Sequence, residues 1–583
     1  MKFFRSLLTS CLGSFIALFV IFGLGFLMLI WMISATSESE KVVVKTNSVL
    51  VLNLEDGVAD YVPSTNNPFE TLFPVKTLQL SKIINAIENA KNDDKIKGIS
   101  ISNELVNAGI SQTQSIRNKI DEFKQAGKFV TSYANIYTQK NYYLSSVADS
   151  LYVTPTGIVD FRGLSTERLF YKDFQEKYGV KMEVIRHGKY KSAVEGYLDN
   201  KMSAANREQI SSFLHSIWGE FLEDIGASRG LDIEELNNIA DELLTRTTEL
   251  AVEFDMINGA IYKDKYEEIV DELVGAKTNY VSISDYISSG KGRIKSTASN
   301  RIAVLYAQGT ILYGKGDETV IGQESMIKAI RKIKKDKKIK AVVLRVNSPG
   351  GVALTGDLIW RELELLKQEK PFVVSMGDMA ASGGYYIAAG AQSIFAEPTS
   401  ITGSIGVFGT IPNLSGLVDN VGINAEQVST NKQAMGYSFY EPMTHDFYNE
   451  RIEGVELVYK TFVNRVAEGR NMTFEEVDAV AQGRVWTGKE ALENGLVDEL
   501  GSLDDAINKA SELADISAYR ITEYPRFQKD FEDSFNLIPF AKLKENYIKN
   551  ELGETNFRIY KELKDFSMYR GIQAVVPYSI DIK

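Results

Sequence analysis

A serine next to a glycine pair, Ser382 in AASGG at residues 380–384, has the type and setting of a nucleophile. Glycines directly after it allow a tight turn at which the hydroxyl meets little steric obstruction. A second glycine pair, Gly350 and Gly351 in NSPGG at residues 347–351, is suited to bring backbone N–H groups close to a reacting carbonyl. Such donors stabilise the oxyanion of acyl transfer, where losing one costs about 3 to 4 kcal/mol. Each segment alone is also a common way to begin a helix, but together in one half of the chain they favour acyl-transfer chemistry.

A nucleophilic serine needs a base, and the chain contains three histidines, His187, His215 and His445. His215 falls in an amphipathic helical stretch and His445 in a polar segment, which favours surface or packing roles for both. A lysine can act as the base when burial lowers its pKa to about 7 to 8, because desolvation disfavours the ammonium form. Lys191, in GKYKSA at residues 188–193, is one of many lysines, and its local sequence alone favours a surface role; the nearby His187 is its rival.

These two candidates lie in different halves of a chain that repeats itself at a constant offset of 243 residues. The matching pairs include Phe129 with Phe372, Ser132 with Ser375, Tyr142 with Tyr385, Pro155 with Pro398 and Gly163 with Gly406. In this frame Ser382 falls opposite Gln139, and Lys191 falls opposite Ala434. Neither copy holds both groups, so the repeats are predicted to divide the chemistry between them.

Short apolar strands alternate with helical stretches in both copies. Strands are predicted at residues 49–54, 96–101, 129–133, 302–306, 339–346 and 372–376, and helices at residues 81–90, 112–125, 323–333 and 356–369. This alternation implies an α/β fold with parallel sheets built from right-handed crossover units. A polar, glycine-containing stretch at 289–300 separates the copies. We therefore expect an N-terminal repeat at 47–290, a C-terminal repeat at 300–525, and a tail at 526–583 that matches neither.

The N-terminus has the features of a membrane anchor. Residues 11–34 carry no charge, and a helix of that length, at about 1.5 Å per residue, would span a bilayer. The apolar run is longer than that of a cleaved signal peptide, the competing interpretation, which favours an uncleaved transmembrane helix. Lys2 and Arg5 precede the run and Glu38 follows it, which places residues 1–10 in the cytoplasm. The remainder of the chain is then expected outside the inner membrane.

Composition excludes several other classes of function. A chain of 583 residues with 44% hydrophobic and 24% charged residues suits two or three globular domains. A net charge of −12 without a long basic stretch argues against nucleic acid as the main partner. Cys11 is the one cysteine, and no histidine and carboxylate spacing suggests a metal site. Residues 309–316 nearly match a phosphate-binding loop, but Gly316 replaces the Ser or Thr that binds magnesium. No cofactor is expected.

Five segments carry a resemblance to a known family. They are YKSAVE at 190–195, NSPGG at 347–351, ASGGYY at 381–386, TGSIGV at 402–407 and GRVWTG at 483–488. Together they resemble the long form of the signal peptide peptidase A family, also called protease IV, and the likeness extends over roughly residues 10–520. The resemblance implies two tandem ClpP/crotonase-like repeats preceded by one transmembrane helix. It also implies a membrane-anchored serine endopeptidase with a Ser/Lys dyad.

The resemblance assigns roles to positions of this chain. By this resemblance, Ser382 corresponds to the nucleophile, Lys191 to the general base and Ser404 to the residue that orients the lysine. The backbone N–H groups of Gly383 and of Gly350 or Gly351 correspond to the oxyanion hole. A homotetramer is the implied assembly, with apolar peptides such as the remnants of cleaved signal peptides as substrates.

Two alternatives stay open at this stage: a crotonase-like acyl-CoA enzyme, which shares the oxyanion arrangement, and a catalytically inactive membrane scaffold. A site outside the cytoplasm has no evident supply of CoA, which disfavours the first. The sequence also leaves open whether Lys191 meets Ser382 within one chain or across subunits. Glu195, one helical turn from Lys191, would raise the lysine pKa if the two were paired. We therefore expect its carboxylate to be bound elsewhere.

Overall fold

The structure is a computed structural model that describes residues 13–25, 28, 42–63, 76–527 and 573–575. The predicted membrane span at 11–34 falls partly on these residues, and 13–25 and 28 are helical. Among the described residues, no helix combines the length and the apolar character needed to cross a membrane. Most of the predicted tail, 526–583, lies outside the described residues.

The N-terminal repeat is built on a parallel sheet, as its apolar runs predict. In spatial order its strands are Gly259–Ala260, Ser150–Val159, Phe129–Tyr137, Ile96–Ile101, Ser48–Leu52 and Asn279–Ser282. Neighbouring strands pair in parallel throughout this sheet. Helices cover its faces because their apolar sides need the same core. They are Leu80–Lys91, Ile110–Gln125, Gln139–Ser145, Lys172–Tyr178, Glu195–Leu198, Ala204–Arg229, Ile233–Asp241, Thr248–Glu253, Lys263–Val274 and Ile283–Tyr286, with short turns at Ser192–Val194 and Ile287–Lys291.

The C-terminal repeat has the corresponding sheet. Its strands run Val485–Thr487, Ile401–Gly403, Phe372–Ala381, Ile339–Ser348, Arg301–Gln308 and Arg520–Tyr524, and Ser393–Ala396 joins Phe372–Ala381 to Glu499–Leu500. Pairing is parallel except where Val485–Thr487 meets Ile401–Gly403. The helices are Gln323–Lys335, Ala353–Lys367, Gly383–Ala388, Ser415–Asn420, His445–Arg470, Phe474–Val480, Gly488–Glu493 and Leu503–Leu513.

A third, mixed sheet joins the two repeats, and no sequence pattern predicts it. Its strands, in spatial order, are Val320–Gly322, Thr310–Leu312, Gly350–Val352, Gln573–Val575, Val407–Asn413 and Lys181–His187. Lys181–His187 comes from the N-terminal repeat and pairs antiparallel with Val407–Asn413 along its whole length. This pairing fixes the loop that follows His187 against the C-terminal repeat.

Buried polar contacts hold the repeats together elsewhere. Arg345 Nε donates to Asp60 Oδ1 at 2.7 Å, and both side chains are almost fully buried. Asp378 accepts from the Ser111 hydroxyl and the Gln112 backbone N–H, each at 3.1 Å. Removing one partner of such a buried pair leaves an uncompensated charge, so these contacts fix how the repeats dock.

Candidate active site

Ser382 lies at a sharp strand-to-helix turn, as its glycine neighbours predict. It follows the strand Phe372–Ala381 and precedes the helix Gly383–Ala388, with φ at +55°. A positive φ is unfavourable for a residue with a side chain, and it persists only when surrounding contacts hold it. Here the Ser382 N–H donates to the Gly403 carbonyl at 2.8 Å. The hydroxyl is fully buried at the end of the central strand.

Lys191 reaches Ser382 from the other repeat, within one chain. Its Nζ lies 2.8 Å from Ser382 Oγ, 2.9 Å from Ser404 Oγ and 3.0 Å from the Ser404 carbonyl oxygen. The lysine side chain is only 1% exposed. The structure therefore brings together three of the residues that the sequence selected.

Close backbone packing makes room for the lysine. A Cβ built on Gly483, where φ is +81°, would lie 2.6 Å from Lys191 Cβ, and one on Gly406 would lie 3.2 Å from Lys191 Cδ. Position 483 thus requires glycine if Lys191 is to keep its path, and a Cβ at position 406 would also lie 2.8 Å from the Gly483 Cα. Gln209, on the helix Ala204–Arg229, donates to the Tyr190 carbonyl at 3.0 Å and accepts from the Val485 N–H at 3.2 Å. This amide ties the lysine loop to the segment that contains Gly483.

Burial lowers the pKa of Lys191 well below the usual value of 10.5, because desolvation penalises the ammonium. Glu195 does not counteract this. Its carboxylate accepts from the Ser203 N–H at 2.9 Å and from the Asn206 side-chain amide, as expected for a carboxylate bound elsewhere. A neutral amine has one lone pair and two N–H groups. It can accept the Ser382 proton while it donates to Ser404.

The glycines proposed for the oxyanion hole surround the same point. A Cβ built on Gly350, where φ is +97°, would lie 2.6 Å from the Gly383 nitrogen, and one on Gly383 would lie 3.1 Å from the Gly351 nitrogen. The Gly350 N–H already donates to Ser348 Oγ at 3.1 Å. Because the Gly350 N–H is already engaged, Gly383 and Gly351 are the better candidates to donate to a substrate oxygen.

His187 is engaged elsewhere, and the other two histidines lie at the surface. His187 Nδ1 lies 2.6 Å from Glu456 Oε1, and its ring stacks on Tyr459 with centroids 3.7 Å apart. His215 and His445 are exposed. Within the described part of the chain, no cluster of three or more His, Cys, Asp or Glu side chains is arranged to hold a metal ion.

Sequence reasoning missed the residues that build the lysine environment. Gly483 belongs to a segment that carried the family resemblance, but nothing in its local pattern connects it with Lys191. Gln209 gives no signal at all, since its role depends on contacts between distant segments. The strand at Gln573–Val575 was also unforeseen, because the tail matches neither repeat.

Comparisons with known proteins agree with this architecture. Residues 122–274 and 364–517 match Peptidase family S49, one match in each repeat. Protease 4 of Haemophilus influenzae is 35% identical over 515 residues, covering 84% of this chain and 83% of that protein. Protease 4 of Salmonella typhi is 34% identical over 535 residues, with 88% and 85% coverage. The chloroplastic serine protease SPPA of Arabidopsis thaliana is 32% identical over 483 residues, with 81% and 70% coverage. The chain, a mixed α/β protein with two repeats of this kind, belongs to Peptidase family S49 and is a serine protease.

Proposed function

We propose that this serine protease is a membrane-anchored endopeptidase that works through a Ser/Lys dyad. Ser382 is the nucleophile and Lys191 the general base. The observation that carries the proposal is the 2.8 Å approach of Lys191 Nζ to Ser382 Oγ at a buried site. Burial supports the role of the lysine because it lowers the pKa of the amine toward the range in which a base works at neutral pH.

The mechanism follows from the contacts around the two residues. Neutral Lys191 takes the Ser382 proton while Oγ attacks the substrate carbonyl carbon, and the N–H groups of Gly383 and Gly351 stabilise the oxyanion. The ammonium then protonates the leaving amine as the C–N bond breaks, which leaves an acyl-enzyme. Water activated by Lys191 hydrolyses that ester. Ser404 is a positioning residue that holds the amine through its hydroxyl and carbonyl oxygens.

We propose that the two repeats are tandem ClpP/crotonase-like units, with the base in residues 47–290 and the nucleophile in residues 300–525. Residues 11–34 form the anchor, residues 1–10 lie in the cytoplasm, and the catalytic repeats lie outside the inner membrane. The uncharged run at 11–34 supports this arrangement. A homotetramer is the expected assembly, by resemblance to the family.

The substrates we propose are apolar peptides, such as signal peptide remnants released at the membrane. Anchoring supports this choice, because tethering raises the effective concentration of membrane-derived peptides at the site. Deleting residues 1–34 is expected to release activity from the membrane fraction without abolishing cleavage of a soluble fluorogenic peptide. Activity that sediments with membranes after the deletion would contradict the anchor.

Labelling with a fluorophosphonate tests the nucleophile. The intact chain should be labelled, and Ser382→Ala should lose the label. The neighbouring buried Ser400, which donates to the Gly377 carbonyl at 2.7 Å, offers a matched control as Ser400→Ala. An acyl-CoA enzyme would cleave no peptide, and an inactive scaffold would be indifferent to Lys191→Ala. Our proposal predicts near-complete loss of peptide cleavage in Lys191→Ala.

A further inference from the structure

The buried amide of Gln209 bonds the chain on both sides of Lys191. Gln209 lies on the helix Ala204–Arg229 and is fully buried. Its nitrogen donates to the Tyr190 carbonyl at 3.0 Å and to Ser192 Oγ at 2.8 Å. Tyr190 and Ser192 are the two neighbours of Lys191 in the sequence. One side chain therefore fixes the loop immediately before and immediately after the proposed base.

The oxygen of the same amide reaches the C-terminal repeat. It accepts from the Val485 N–H at 3.2 Å. Val485 pairs with Gly403 across two antiparallel strands, and the Gly403 carbonyl accepts from the Ser382 N–H at 2.8 Å. Gln209 thus connects the lysine loop with the pair of strands that supports the proposed nucleophile.

Two further side chains orient this amide. Asn206, one turn earlier on the same helix, accepts from the Gln209 nitrogen at 3.2 Å through its Oδ1. The Asn206 nitrogen donates in turn to the buried carboxylate of Glu195. If the Gln209 amide were turned over, its nitrogen would face the Val485 N–H and its oxygen would face the Tyr190 carbonyl. Donor would then meet donor and acceptor would meet acceptor, so the contacts permit one orientation.

We propose that Gln209 is a positioning residue, which holds Lys191 against Ser382 by clamping the lysine loop to the C-terminal repeat. This inference rests on the proposed function, because the clamp matters for catalysis only if Lys191 is the base. A displacement of about 1 Å near a reacting group can lower the rate about a hundredfold. Release of the loop would also bring water to the amine, which favours its charged form. The clamp therefore controls both the rate of the chemical step and the pH at which the base becomes active.

Gln209→Met tests the clamp, since methionine has a similar length but lacks the amide. The Tyr190 N–H still donates to the Gln482 carbonyl at 2.8 Å, so the loop keeps a backbone contact and the variant should fold. We expect kcat for a fluorogenic peptide to fall about a hundredfold, with KM unchanged. The apparent pKa of the kcat/KM profile should rise by about one unit or more, because full burial shifts a lysine pKa by up to about 3 to 5 units.

Gln175→Met is the matched control. Gln175 is a buried residue of the same repeat, and its amide also joins two backbone segments. It donates to the Tyr197 carbonyl at 2.7 Å and accepts from the Met182 N–H at 2.6 Å, and neither partner adjoins Lys191 in the sequence. Both variants should be less stable than the parent in urea unfolding. Gln175→Met, however, should keep the kcat and the pH profile of the parent.

Ser192→Ala is a smaller change, which keeps the test decisive if Gln209→Met does not fold. It removes one of the two loop contacts, so kcat should fall about threefold to tenfold, the equivalent of one hydrogen bond. In a double-mutant cycle, Ser192→Ala should add no further loss to Gln209→Met, because the two substitutions remove the same contact.

The outcomes separate the clamp from the proposed function. If kcat is unchanged in Gln209→Met or in Ser192→Ala, or falls equally in Gln209→Met and Gln175→Met, the clamp is refuted while Lys191 remains the proposed base. If Lys191→Met cleaves the peptide as fast as the parent, the proposed base is wrong and the clamp falls with it.

Discussion

Replacing Lys191 with methionine is expected to abolish activity and to change the pH dependence of stability in a defined direction. Methionine has a similar length and no charge, so it fills the buried site without creating a large cavity. General base catalysis typically contributes up to about 10⁴ in rate, so kcat/KM should fall by about that factor. This loss corresponds to about 5 kcal/mol of transition-state stabilisation.

The stability effect follows from the lowered pKa of Lys191. In the unfolded chain the lysine titrates near 10.5, whereas in the folded chain burial lowers its pKa well below that value. Between the two pKa values the unfolded state binds one more proton, so the parent protein becomes more stable as pH rises, by about 1.4 kcal/mol per pH unit. Lys191→Met lacks this titration. The free energy of unfolding of Lys191→Met minus that of the parent should therefore decrease by about 1.4 kcal/mol per pH unit as pH increases.

Urea unfolding at pH 7, 8, 9 and 10, together with peptide cleavage at pH 8, measures both effects. Lys189→Met is the matched control, because Lys189 lies two residues away, is exposed, and sits over the Tyr190 ring at 5.0 Å. That variant should match the parent in activity and in pH slope. A stability difference between Lys191→Met and the parent that does not depend on pH would refute the neutral, buried amine. So would retention of more than about one-tenth of the activity, since a general base contributes at least about 10².

Further predictions test the environment of the same amine. The kcat/KM of the parent should rise with pH through an apparent pKa well below 10.5, because Lys191 can act as the proposed base only in its neutral form. Ser404→Ala removes the hydroxyl 2.9 Å from Nζ and should lower kcat/KM about tenfold to a hundredfold, as single-turnover kinetics would show. Gly483→Ala would place its Cβ 2.6 Å from Lys191 Cβ and should lower kcat about a hundredfold. Gly127→Ala is its control, since φ there is +88° and nothing lies within 4 Å. Burial raises the pKa of Glu397 from 4.5 to about 7, so the free energy of unfolding decreases as pH rises from about 4.5 through 7. Glu397→Gln should therefore stabilise the protein by about 3 kcal/mol at pH 8 and little at pH 4, measured by urea unfolding.

The parallel strands were predictable because their apolar runs need burial on both faces. Ile96–Ile101 has the predicted bounds. The strand predicted at 372–376 instead extends through Ala381, as Phe372–Ala381. Its apolar pattern is interrupted at Asp378, whose carboxylate is bonded to Ser111 of the other repeat. A contact between repeats therefore supports strand structure where the local pattern predicts none.

The two candidate residues differed in how far local sequence could identify them. The glycines after Ser382 are the direct cause of its sharp turn, so the sequence pattern and the observed geometry have the same physical origin. Lys191 has no such local cause. Its low pKa comes from burial under Gly483 and Gly406, which belong to the other repeat. Only the resemblance to a known family separated it from the other lysines of the chain.

Docking of the two repeats both lowers the pKa of the proposed base, Lys191, and positions its amine. An isolated N-terminal repeat would leave Lys191 beside water, where its amine would be charged and unable to accept a proton. The pairing of Lys181–His187 with Val407–Asn413 brings the lysine loop under Gly483, and the same pairing sets Nζ against Ser382 and Ser404. Desolvation and alignment therefore arise from one interface. A change that loosens this interface, even far from Ser382, will raise the pKa of Lys191 and lengthen its contact with the hydroxyl together.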